Sequence, residues 1–376
     1  MREIINSISV GGLTAVYRRE SETGVVELVL IPAGCESEIV RTDCAAEPLV
    51  QAKLETDDAP AFFSGGRTMR NGPTVSAIVF DGQIVQKSDD KTVILTTLTD
   101  ARGLAYTHTL TLYADNPAAE VVTSVENTGS APVTFEMLSS FTLGSISPFA
   151  TGLAPETLKI HRLRSTWSAE GRLVTDRAED LQLEPSWKCY SANCLRFGVI
   201  GGYPVHGFAP FCAVEDTVHG VTWAATTQGS SWQMELYRSD MGLSLSGGLA
   251  DREFGAWCKT LAPGACFTAP KAGLTAVRGG VDAAAQVLAE NTRRSVEPIL
   301  PESEKAMPVL FNEFCSTWGS PTEETILRHL ESLKGHNLGY YVIDAGWYDD
   351  ESFESASKLG KWELSKKHFP HGMRYV

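Results

Sequence analysis

Residues 309–347 read VLFNEFCSTWGSPTEETILRHLESLKGHNLGYYVIDAGW, and this stretch decides how the C-terminal part of the chain folds. The apolar run at 309–314 has the length of a buried strand. Ser320-Pro321-Thr322-Glu323 has the pattern of a capping box with proline at the first helical position. Ile326, Leu327, Leu330 and Leu333 follow at helical spacing and give one apolar face, which Gly335 is placed to close. A second buried run, residues 340–343, follows at once and ends in Asp344-Ala345-Gly346-Trp347. Strand, helix and strand within about forty residues predict a βαβ unit, whose two strands are parallel. A closed (β/α)8 TIM barrel takes roughly 200 residues. From 307 to 376 there are about 70. Two parallel strands cannot cover both of their faces, so a truncated barrel is expected, cut after its first strand–helix units.

Upstream the pattern is different. To about residue 275, Gly, Asn or Asp interrupts the chain every ten to fifteen residues or so, and the runs between are β-rich. In residues 105–113 (AYTHTLTLY), Tyr106, His108, Leu110 and Leu112 share one face and three threonines the other. Val133, Phe135 and Met137 alternate in the same way. Further strands are expected from Val75, Lys91, Val221 and Ser231. Period-two patterning with one apolar face predicts antiparallel strands packed sheet on sheet. The fold class expected is therefore mainly β, a large antiparallel β-supersandwich followed by the opening of the barrel. Expected boundaries are 1–280 for the sandwich, 281–306 for a connecting helix and linker, and 307–376 for the incomplete barrel. Val281–Val296 carries the alanine-rich helix signal, and Pro298, Pro301 and Pro308 follow it.

The chain has 376 residues, 43% hydrophobic and 21% charged, an ordinary balance for two packed domains. With 8 Trp, 15 Phe and 10 Tyr it is not a disordered chain. A net charge of −14 repels a phosphate backbone, so nucleic acid is not an expected partner. No apolar run reaches membrane-span length, and the best of them contains Glu27. The N-terminus has no basic stretch followed by an apolar core, so no secretory signal is read there. Eight scattered cysteines without a CxxC pair suggest reduced thiols and a cytoplasmic location. No metal or cofactor motif is present, and none is expected.

Strand ends carry the candidate chemistry. In a parallel barrel the C-terminal ends of the strands face the ligand. Asn312 and Glu313 sit at the end of the first strand, and Asp344 and Trp347 at the end of the second. A carboxylate accepts hydroxyl hydrogen bonds, and an indole packs an apolar sugar face, so Asp344 and Trp347 together suit a sugar. The bland alternative has Asp344 capping a turn and Trp347 filling core.

Residues 311–350 (FNEFCSTWGSPTEETILRHLESLKGHNLGYYVIDAGWYDD) and the LGKWELSKKHFPHGM from Leu359 resemble the opening of the barrel in glycoside hydrolase family 36. Those are microbial α-galactosidases, with some α-N-acetylgalactosaminidases. The run from Gly229 (GSSWQMELYRSDMGLSLSGGLADREFGAWCKTLAPGACF) resembles the end of that family's N-terminal supersandwich, and GGRTMRNGP from Gly65 an early loop of it. The resemblance covers nearly the whole chain, and only the first half of such an enzyme. It implies a retaining, exo-acting hydrolase that releases terminal α-galactosyl residues, with a nucleophile and an acid/base. By the same resemblance both lie beyond Val376, so this chain contains neither and is expected to be inactive alone. Asp344 matches the first acid of the family's Asp-Asp-Gly-Trp, implied to lie near the galactose 4- and 6-hydroxyls. The second acid is Ala345 here, which leaves room for an N-acetylgalactosamine substrate. Phe314 stands where many members have tryptophan.

Substrate-binding residues expected from all of this are Asp344, Trp347, Asn312, Arg67 and Arg70. The two arginines are candidates because a sandwich loop can reach a site mouth, although a solvated turn is their commoner role. At least three of Trp187, Trp223, Trp232 and Trp257 are expected in the core. His108 and His206 are expected to have local partners, and Asp349, Asp350 and Glu351 to form a solvated acidic loop. The expected partners are an α-galactoside oligosaccharide or glycoconjugate and further copies of the chain. The competing class is a non-enzymatic β-sandwich that binds sugar or holds an oligomer together.

Overall fold

The structure, a computed structural model, describes residues 2–40, 45–58, 68–150, 156–184, 193–203, 206–238, 242–348 and 362–376. The chain divides into two compact units, Met1–Arg294 and Ser295–Val376.

The first unit is mainly β, as the alternation requires. Its largest sheet runs, in spatial order, Ala169–Arg177, Leu158–Thr166, His206–Asp216, Val221–Thr227, Ala272–Arg278, Asn116–Asn127, Leu104–Tyr113, Lys91–Asp100 and Val79–Lys87; Cys266–Thr268 also pairs with Asn116–Asn127. A second sheet orders Asn193–Val199, Trp232–Arg238, Leu243–Leu249, Val133–Ile146 and Lys259–Leu261, with Ala52–Leu54 also on Val133–Ile146. Arg2–Val10, Leu13–Glu20 and Val26–Pro32 form a third. Every pairing among them is antiparallel.

One continuous apolar core joins the sheets. Along Leu104–Tyr113 alternate residues are buried, with Tyr106, His108, Leu110 and Leu112 inward. Two cross-sheet bonds fix the layers. Thr123 Oγ1 donates to the Ser140 carbonyl at 2.8 Å, and Trp223 Nε1 donates to the Leu30 carbonyl at 2.7 Å. Gly11 and Gly12, both at positive φ, make the two-residue turn between the first strands. A Cβ on Gly11 would stand 1.9 Å from the Tyr113 carbonyl oxygen, so only glycine fits there.

Glu27, the acid inside the longest apolar run, is buried and held by Arg18 at 2.8 Å, Arg2 at 3.0 Å and the Ser145 hydroxyl at 3.0 Å. The expected helix is Val281–Val296, and its Ala284 and Leu288 pack against Phe211, Ala213, Ala224 and Val277. Trp223 and Trp232 are core and Trp257 packs against it partly buried, whereas Trp187 lies outside the described residues.

Several local expectations are corrected. The strand expected from Val75 begins only at Val79, because Pro73 opens a short helix, Pro73–Ala77. Among the described residues neither ring nitrogen of His108 has a side-chain hydrogen-bond partner; its ring meets Tyr17 edge-on, with centroids 6.4 Å apart.

The second unit contains a strand–helix–strand step. Leu310–Asn312 pairs in parallel with Tyr340–Val342, and Glu323–Leu333 is the helix between them. The strands are shorter and barer than expected. Val309 and Leu310 are more than half exposed and Tyr340 is exposed, because a two-stranded sheet leaves apolar surface uncovered. The helix cap is Thr322, two residues later than Ser320. Its hydroxyl accepts from the Thr325 N–H at 3.2 Å, and the Thr325 hydroxyl accepts from the Thr322 N–H at 2.9 Å. Of the four apolar helix positions only Ile326 is buried.

Candidate functional site

At the C-terminal ends of the parallel pair, sequence-distant groups converge. Asn312 ends the first strand and Asp344 follows the second. Asn312 Nδ2 donates to Asp344 Oδ2 at 2.7 Å, and the Phe314 N–H donates to Asn312 Oδ1 at 2.9 Å. Asn312 thus fixes the carboxylate and keeps one amide hydrogen for a ligand. The Ala345 N–H donates to Asp344 Oδ1 at 2.6 Å. Both carboxylate oxygens therefore hold one protein donor and retain acceptor capacity.

Glu313 stands behind this pair. Fully buried, it accepts the Asp344 N–H at 3.0 Å on Oε1 and the Thr317 hydroxyl on Oε2, while its own N–H donates to the Val342 carbonyl at 3.2 Å. It ties the end of one strand to the end of the other. Its strand-end position alone assigns Glu313 no role, since an acid between Asn312 and Phe314 carries no local signal of this contact. Burial, with a smaller contribution from the Glu313 carboxylate, pushes the nearby Tyr341 phenol up to about 12, and its hydroxyl lies 2.9 Å from His329 Nδ1.

Gly346 turns the chain after Asp344 at φ +98°; a Cβ there would stand 2.0 Å from the Gly319 carbonyl oxygen. Trp347 follows, half-buried, its ring stacked on Trp362 at 6.1 Å and 27° and edge-on to Tyr348 at 5.3 Å. Trp362, exposed and fifteen residues further on, is a partner that no local pattern announces. Phe314 meets Trp318 edge-on at 6.2 Å. An oriented carboxylate, an amide donor and stacked indoles suit a polyhydroxylated ligand with apolar faces. Asp349, Asp350 and Glu351 lie outside the described residues. Among those described, no cluster of three or more His, Cys, Asp or Glu could hold a metal ion.

The arginines fare differently. Arg67 lies outside the described residues. Arg70 is not a solvated turn residue: it is 2% exposed, inside the first unit. Its guanidinium pairs with Glu47, lies 3.9 Å from Glu235, donates to the Ser244 hydroxyl at 3.3 Å and sits 4.9 Å over the Tyr237 ring. Burial raises both the Glu47 and Glu235 carboxyls, and the arginine opposes that rise. The sequence has no signal for this clamp, because its members are 23 and 165 residues from Arg70.

No family model matches the sequence, and no curated protein matches it. Solved structures do match in fold. A glycoside hydrolase family 36 α-galactosidase, AgaB from Geobacillus stearothermophilus, superposes at TM-score 0.71 with 15% identity, over 98% of this chain and 52% of that one. An α-galactosidase from Lactobacillus brevis gives 0.72 at 16%, over 98% and 52%. The galactosidase domain of the α-galactosidase–sucrose kinase AgaSK gives 0.73 at 14%, over 98% and 53%. The fold is thus the one found in the N-terminal part of family 36 α-galactosidases. The chain spans about half the length of these structures.

Proposed function

We propose that this chain is the N-terminal part of a retaining, exo-acting α-galactosidase-like glycoside hydrolase, comprising the supersandwich (1–280), a connecting helix and linker (281–306) and the first strand–helix units of a TIM barrel (307–376). The observation that carries this reading is the Asn312–Asp344 pair with Trp347 at the ends of two parallel strands, in a fold shared with α-galactosidases. Asp344, Asn312 and Trp347 are the substrate-binding residues. Arg67 stays a candidate because a sandwich loop can reach a site mouth. Arg70 is reassigned to holding the loop that carries it, since its guanidinium is already engaged. The nucleophile and the acid/base are assigned to no residue of this chain, which is inactive by itself.

The substrate class follows from related structures. A variant of AgaA from the same Geobacillus species was solved with stachyose and another with raffinose, which supports α-galactoside oligosaccharides here. Ala345 favours a second reading, an α-N-acetylgalactosaminidase, because one acid of the resembling motif is missing. The non-enzymatic module remains the competing class. No helix among the described residues is long and apolar enough to cross a membrane. The scattered cysteines support a cytoplasmic enzyme, and the bare apolar strands support a homo-oligomer.

The test is hydrolysis by the protein encoded by the complete reading frame. Aryl α-galactoside turnover establishes the enzyme; preference for the N-acetylgalactosaminide establishes the second reading. No turnover of either leaves the module. Ala345→Asp should move preference toward plain galactosides.

A further inference from the structure

The hairpin Leu158–Thr166/Ala169–Arg177 closes through a two-residue turn, Trp167-Ser168. Of its two turn residues Ser168 takes the left-handed φ of +61° and Trp167 does not, so the backbone of the turn does not account for the indole. Trp167 is 71% exposed and stands nearly parallel to Tyr203, itself 49% exposed, with centroids 6.4 Å apart and planes at 15°. The exposed His206 ring meets Tyr203 at 5.2 Å. In strand register Thr166 faces His206, and Arg164, two residues back, lies over the Phe208 ring at 5.8 Å. Cβ positions built on Gly201 and Gly207 meet no described atom within 4 Å.

We propose that Trp167 and Tyr203 form a carbohydrate-binding platform on the sandwich for a neutral oligosaccharide. Pyranose C–H faces pack on the two rings, while Thr166, His206 and Arg164 supply hydrogen-bonding groups for the hydroxyls. The size of the patch favours a small ligand. Two aromatic side chains offer at most roughly 300–500 Å2, against the roughly 800 Å2 per partner of a stable protein interface. The net charge of −14 argues against an anionic occupant. The inference rests on the glycoside hydrolase reading only for the choice of sugar.

The experiment is titration calorimetry and saturation-transfer NMR of the 376-residue chain with stachyose, on wild type, Trp167→Ala, Tyr203→Ala and Asp344→Asn. The two platform variants should weaken binding by about tenfold or more with an unchanged melting temperature, because both side chains are exposed. Asp344→Asn should remove only a strand-end contribution and leave the stachyose-binding component that Trp167→Ala and Tyr203→Ala weaken, which distinguishes the platform from the strand-end site. Absence of stachyose binding in the wild-type chain overturns the proposal. So does loss on Asp344→Asn with Trp167→Ala unaffected. A changed sedimentation mass of Trp167→Ala with sugar binding intact also overturns it, and makes the surface a protein interface.

Discussion

Asn312 Nδ2 donates to Asp344 Oδ2 at 2.7 Å, linking residues 32 apart in sequence at the ends of two parallel strands. The bond fixes one carboxylate oxygen and leaves acceptor capacity on both for a ligand. In the complete protein, Asp344→Asn keeps the shape but removes the charge that such hydrogen bonds require. One charge-assisted bond is worth about 1.5–3 kcal/mol, so kcat/KM should fall by about 10- to 150-fold. The melting temperature should change little. Near-normal kinetics with a lowered melting point would reduce Asp344 to a turn residue.

Gly346 is the hinge between the carboxylate and its indole. Gly346→Ala forces a Cβ against the Gly319 carbonyl at a positive φ that L-residues rarely adopt. We expect faster amide exchange at residues 344–348 and a weaker Trp347 fluorescence response to sugar. Unchanged exchange would show that the turn tolerates a side chain.

Arg70 neutralises two acids that burial has already made weaker. Arg70→Met leaves Glu47 and Glu235 without their shared cation, a loss of about 3–5 kcal/mol for a buried pair broken on one side. Both carboxyls rise further in the variant and take up protons as the pH falls. The loss should therefore be smaller at pH 5 than at pH 8 in denaturant titrations. A pH-independent loss would mean that packing on Tyr237, not charge, is what the arginine contributes.

His108 sits wholly inside the sandwich, and burial lowers its pKa to about 4 from an ordinary 6.5. The unfolded chain therefore binds the proton more readily, and this residue's contribution to stability falls as the pH drops from 6.5 toward 4. The slope is about 1.4 kcal/mol per pH unit, so between pH 7 and pH 5 about 2 kcal/mol is lost. His108→Leu should remove that part of the acid sensitivity in denaturant titrations. An acid profile identical to wild type would place a protonated His108 in the fold.

Much of this molecule was legible in its sequence, because strand alternation and helix periodicity are local. Tyr106, His108, Leu110 and Leu112 face inward as their spacing demands, and the helix Val281–Val296 has its expected ends. Capping was legible in kind but not in place: Ser320 and Thr322 both carry the needed hydroxyl, and only the backbone of the turn selects Thr322.

Sequence by itself determined the sheet-rich class, the strand–helix–strand order and the strand-end placement of Asn312, Asp344 and Trp347. Tertiary structure alone decided which groups meet. Arg70 became an internal clamp because Glu47 and Glu235 arrive from distant strands and loops, Glu313 acquired its contact with Asp344 through parallel pairing, and Trp362 came to lie on Trp347. The apolar runs at 309–314 and 340–343 look alike as text whether covered or bare. A strand is buried only when something packs on both its faces, and that is a property of the assembled layers, not of the run itself.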